Sequence, residues 1–144
     1  MILLSTVIVL FAFLEILNLL MLYFIPGTKL GNGIGVFNAY EKSKNDPEVF
    51  ALVSYLINWV AGTKLIFIAL LIVILITADN STKIYTVLAL ILSILTFFWR
   101  LYPLICKMDK NDQLSPKGYS RTLGIMIFSF IAIFSIALFV AVLC

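Results

Sequence analysis

Four stretches of this chain, roughly residues 2–25, 49–77, 84–106 and 119–143, stay apolar over the ~20 residues a helix needs to cross a bilayer. Hydrocarbon offers the backbone no hydrogen-bond partners, so a spanning segment of this kind is stable only when its amides bond within the segment, as they do in a helix. The chain is therefore expected to be all-α: a polytopic membrane protein with four transmembrane helices, forming one domain over residues 1–144. Short connections favour antiparallel neighbours, which predicts an up-down four-helix bundle. The low charge content agrees, at 12% of residues against about 25% in a soluble domain.

Punctuation places the boundaries. Asp46-Pro47-Glu48 puts a capping acid, a proline suited to the first helical position and a second acid at the start of span two. Ser115-Pro116 is the equivalent signal ahead of span four, so that helix is expected to begin in water. Asn80-Ser81-Thr82 marks the turn between spans two and three, and Pro26-Gly27 closes span one. Span one lacks a basic leader and a small-x-small cleavage site, and it carries Glu15; it reads as a retained helix rather than a signal peptide. Lys29, Lys42 and Lys44 lie in loop 26–48, and Lys107, Lys110 and Lys117 in loop 107–118, with Arg121 just beyond. The short 78–83 connection has Lys83 alone. This bias predicts cytoplasmic placement of both longer loops and external termini, in the plasma (cytoplasmic) membrane.

Histidine is absent, which removes the usual metal ligand and the usual base near neutral pH. Cys106 and Cys144 follow no metal-binding spacing and are expected on opposite membrane faces, as small apolar residues at helix ends. No metal, cofactor or nucleic acid is expected. Gly27, Gly31, Gly33 and Gly35 follow no strand, so they predict a flexible loop rather than a phosphate nest. That loop leads into a short interfacial helix carrying Phe37 and Tyr40.

The residues that such spans should exclude are the informative ones. Counted at 1.5 Å per residue from the loop-bearing ends, Glu15 lies about 15 Å deep, Asn18 about 10 Å, Asn58 about 13 Å, Lys64 about 21 Å and Arg100 about 9 Å. A charge at the bilayer centre costs about 2.5–3.5 kcal/mol unless paired or hydrated. Glu15 and Asn18 share a face of span one, and Ser54 and Asn58 share a face of span two. Asn58 and Lys64 are separated by about 120° on the wheel, so a cavity reaching both must be wide. The expected ligand-binding or transport site is a polar cavity lined by Glu15, Asn18, Asn58, Lys64 and Arg100, with Ser54, Trp59, Trp99 and Tyr102 in support. With Glu15 against Lys64 and Arg100, that set carries one surplus positive charge and favours an anion. Each residue also has a plainer reading. Arg100 can snorkel to the interface, Trp99 and Tyr102 suit an aromatic belt, the asparagines can join helices, and Glu15–Lys64 can be a structural ion pair. Gly62 offers a neighbouring helix a close approach, and span four serves as a packing wall.

Asn45-Asp46-Pro47-Glu48-Val49-Phe50 is similar to the Asn-x-x-Glu pattern that opens the second span of the MAPEG family, the glutathione-dependent membrane enzymes. Trp59-Val60-Ala61-Gly62, the four spans and the longer first loop resemble that family too. The resemblance covers about twenty residues by the spacing of these motifs. Where the family places arginines before the Asn, this chain has Glu41, Lys42 and Lys44, and its arginine-rich third-span pattern is reduced to Arg100 and Tyr102. The resemblance implies an enzyme acting on a lipophilic substrate.

Three functions follow in order: a transporter, channel or ligand-binding protein for a small anionic or amphiphilic molecule; an accessory subunit of a membrane complex; and that membrane enzyme. No catalytic residue is assigned. The expected partners are the bilayer and either further copies of the chain or another membrane protein, because four helices seldom enclose a pathway alone.

Overall fold

The computed structural model describes residues 2–143, and every regular element among them is helical. The order is α1 (Ile2–Phe24), a single 3-10 turn (Ile34–Val36), α2 (Asn38–Ser43), α3 (Pro47–Thr77), α4 (Asn80–Leu95), α5 (Phe97–Lys110) and α6 (Tyr119–Leu143). Four helical runs are long and apolar enough to cross a membrane: α1, α3, the α4–α5 run and α6.

α1 is the central helix. It packs chiefly on α3, then on α6 and α4, while α6 also holds α4 and α5. Its buried positions Leu4, Ile8, Phe11, Leu19 and Leu22 recur at helical spacing. Phe11 sits edge-on to Phe67 of α3 and to Phe130 and Phe134 of α6, with centroids 6.1, 5.3 and 5.2 Å away. Around this ring lies the main core, drawn from α1, α3, α4 and α6. Toward the end that carries the longer connections the core divides. One cluster joins α1 to α3 and Tyr40; the other joins α5 to the start of α6, with Val36 and Leu114.

The two long connections clasp each other. Phe37 and Leu114 form an antiparallel bridge, in which Ser115 N–H donates to the Val36 carbonyl (2.8 Å) and Asn38 N–H to the Gln113 carbonyl (3.0 Å). The Tyr119 hydroxyl donates to the Gly31 carbonyl at 2.8 Å, and Lys29 Nζ to Ser115 Oγ at 3.1 Å. The glycine segment is thus a folded strap rather than a flexible loop. A Cβ at Gly35 would run into the Gly27 carbonyl, so the strap folds back on itself only because that side chain is missing. Tyr40 faces inward, buried against Phe50 and Gly27, and gives no interfacial anchor.

Caps explain where the helices start. Asp46 accepts from the Glu48 and Val49 amides (3.0 and 3.2 Å) with Pro47 opening α3. Between α3 and α4 the turn is Ala78-Asp79, two residues earlier than Asn80-Ser81-Thr82 suggested, because Asp79 caps α4 through the Thr82 amide at 2.9 Å. Ser115-Pro116 does not open α6 either. That helix begins at Tyr119, where Asp109 from α5 accepts from the Gly118 and Ser120 amides and the Ser120 hydroxyl (2.9, 3.0 and 2.6 Å). The third run, expected as unbroken, turns at Thr96, whose amide and hydroxyl both go to the Ser93 carbonyl. Pro103 then deprives the Trp99 carbonyl of its helical partner.

Candidate functional site

Glu15 and Lys64 occupy core positions of their helices. Glu15 lies four residues from Phe11 and Leu19, seven from Ile8 and Leu22; Lys64 lies three from Ala61, four from Ile68, seven from Ile57 and Leu71. All of those neighbours are buried. The apolar stripes that dock α1 on α3 therefore carry the two charged side chains into the seam between the helices. Ala61 is fully buried, which lets the backbones approach, and the Tyr23 hydroxyl lies over Gly62 on the loop side. Phe11–Phe67 closes the seam on the other side. There the Lys64 ammonium donates directly to the Glu15 carboxylate as an ion pair, with side chains 22% and 20% exposed.

The exposure has a direction. α3 meets α4 only sparsely, near the hairpin, and α5 leans on α6 instead of α3. The flank of α3 carries a shallow, open and largely apolar groove of about 280 Å³, lined by Trp59, Val60, Thr63 and Lys64 of that helix. Thr63 Oγ1 donates to the Trp59 carbonyl (3.0 Å) on its own helix. Lys64 thus joins two environments: its ammonium meets Glu15, and its stem walls a groove open to the surroundings.

The other sequence-selected residues go elsewhere. Asn18 is buried, 8% exposed, and its Oδ1 has no hydrogen-bond partner among the described residues. Asn58 is exposed and its amide donates to the Ser54 carbonyl at 2.8 Å, one turn back on α3. Arg100 is exposed on α5 with its guanidinium over the Trp99 ring, 5.3 Å from the centroid. Tyr102 packs against α6, where a Cβ at Gly124 would approach its ring to 2.7 Å, so it serves helix packing rather than an aromatic belt. The structure does not gather the five polar residues into one cavity. The third run packs on α6 through both α4 and α5, and Arg100 is exposed beside Trp99 rather than set against Glu15. Without Arg100 the pair is neutral, and the surplus charge expected from sequence disappears.

Sequence reasoning passed over Asp109, which fixes α6 on α5, and the strap that ties Gly31 to Tyr119. A signal for the first was present: an isolated acid shortly before Pro116-Lys117-Gly118-Tyr119-Ser120, a stretch with unmet helix-start amides. Cys106 is a half-buried free thiol, and Cys144 lies outside the described residues.

Searches against protein-family models, curated proteins and solved structures find no match to this chain. The likeness to the glutathione-dependent membrane enzymes rests on the short motifs alone. Of these, Asp46 is spent on capping α3, and Arg100 and Tyr102 turn to different neighbours.

Proposed function

We propose that the chain is a four-span, up-down membrane bundle that binds or transports a small amphiphilic anion, with Lys64 as the anchor. One observation carries the reading: a charged pair in the middle of two spanning helices, of which the cationic member lines a lateral groove. A pair serving only to join α1 and α3 gains nothing from an opening beside it, because water or lipid there only weakens the contact. The groove is mostly apolar, which suits an acyl or other hydrophobic body, and the Lys64 stem on its wall sets the paired ammonium close by. Glu15 keeps that ammonium compensated when the groove is empty. An entering carboxylate or phosphate competes with Glu15 for the same donor, so release regenerates the resting pair without moving a helix.

The test is binding of a fluorescent long-chain fatty acid and of the matching uncharged alcohol to purified protein. Lys64→Met is expected to weaken acid binding by tenfold or more and leave the alcohol unchanged, an effect of about 1.4 kcal/mol. Glu15→Gln is expected to tighten acid binding. Acid binding by the Lys64→Met variant as tight as that of the unaltered chain refutes the reading.

A second reading, an accessory subunit, is favoured by the exposed surface of α3 that continues from that groove toward the loop end. Tyr55 and Trp59 are both 63% exposed there and Asn58 turns outward, a polar and aromatic surface of the kind that joins helices in lipid. Native mass spectrometry separates a homo-oligomer from a hetero-complex. The basic loops support a cytoplasmic clasped end and external termini under either reading.

A further inference from the structure

We propose that the outward face of α5 is a binding site for the headgroup of an anionic phospholipid, an inference that rests on the bilayer placement above but not on the α3 groove. It starts from where the charges are spent. Of seven acids, Glu15, Glu41 and Asp112 form ion pairs, and Asp46, Asp79 and Asp109 cap helices, leaving Glu48. Of ten cations, Lys44, Lys64 and Lys117 take those paired acids, so seven have no carboxylate partner among the described residues. Three of the seven, Arg100, Lys107 and Lys110, are on α5, and Arg121 follows directly on the α6 residues that Asp109 binds to the end of α5. All four are exposed.

Their spacing makes a stripe. Arg100 and Lys107 are seven apart and share a face, with Lys110 three further along it. The opposite face of α5 is closed by Ile105, which is buried, and by Tyr102 against Gly124. From Arg100 to Lys110 the stripe runs about 15 Å along the helix, from the water boundary into the acyl layer. Trp99, 75% exposed beneath the Arg100 guanidinium, and Leu104, 55% exposed, give the stripe an apolar lining at its deep end. Cations at headgroup level, a deeper guanidinium that must reach outward, and apolar surface beneath it match a lipid with an anionic head and acyl tails. A soluble anion would have no use for Trp99 and Leu104.

The experiment places the protein in phosphatidylcholine vesicles with increasing phosphatidylglycerol and reads the fraction of spin-labelled phosphatidylglycerol held at the protein surface. The unaltered chain is expected to prefer the anionic label by about fivefold per cation engaged. Arg100→Gln/Lys107→Gln/Lys110→Gln is expected to lose that preference by about tenfold or more, while Lys29→Gln/Lys42→Gln/Lys83→Gln, removing the same charge elsewhere, retains it. Equal loss in both variants shows only a diffuse surface potential and overturns the site, as does full retention in the α5 variant. Displacement of the label by inorganic phosphate at matched ionic strength overturns the lipid assignment. Lys107→Gln/Lys110→Gln repeats the measurement at the water boundary without altering the embedded part of α5, so a folding defect in the triple variant leaves the proposal testable.

Discussion

Removing one member of the Glu15–Lys64 pair should cost far more than removing both. Glu15→Gln leaves the Lys64 ammonium among Ile57, Ala61, Ile68 and Leu71 with no counter-charge; Lys64→Met leaves the Glu15 carboxylate among Phe11, Leu19 and Leu22. Breaking a buried pair costs about 3–5 kcal/mol, and a lone charge near the bilayer centre about 2.5–3.5 kcal/mol. Each side chain keeps about a fifth of its exposure, 20% for Glu15 and 22% for Lys64, which places the estimate at the low end. About 3 kcal/mol per single variant is therefore expected, a factor of about 10² in the unfolding equilibrium. The double variant should fall within about 1 kcal/mol of the unaltered chain, because Gln and Met of similar volume fill the seam without charge. Reversible unfolding in mixed micelles, followed by helical circular dichroism across the full cycle, measures the coupling. A cycle in which the singles add to the double within about 0.5 kcal/mol refutes the reasoning, since independent sites behave that way.

Further outcomes follow from single contacts. Gly35→Ala drives a methyl into the Gly27 carbonyl and should destabilise by about 1–3 kcal/mol, measured by thermal unfolding; an unchanged midpoint would show that the strap is looser than its hydrogen bonds indicate. Asn18→Leu removes an acceptor left buried without a partner and should raise stability by about 1 kcal/mol in ligand-free protein. Asp109→Ala frees the Gly118 and Ser120 amides and should lower stability by about 1–2 kcal/mol, with loss of amide protection confined to the start of α6. The Thr82 hydroxyl and amide hold the Asp79 carboxyl below the usual carboxylate range. Its stabilising contribution is therefore complete above the ordinary value of about 3.9 and lost as pH falls through the lowered one. Amide protection at Thr82, taken relative to its intrinsic exchange rate, should fall over that acid window, and Asp79→Asn should abolish that fall.

The helical class, the four apolar runs and the cap at Asp46 were all legible in the chain, because they depend on local quantities: length of apolar run, turn chemistry and the needs of the first helical amides. Glu15 and Lys64 were legible as anomalies for the same reason. What the chain alone left open was which helices share a wall. The third run packs on α6 through both α4 and α5, and at α5 Gly124 admits Tyr102. That choice leaves Arg100 exposed over Trp99 and the Glu15–Lys64 pair without a third charge. Depth along a helix follows from counting residues; direction around it is decided by which packing surfaces compete, and only the tertiary structure resolves that competition.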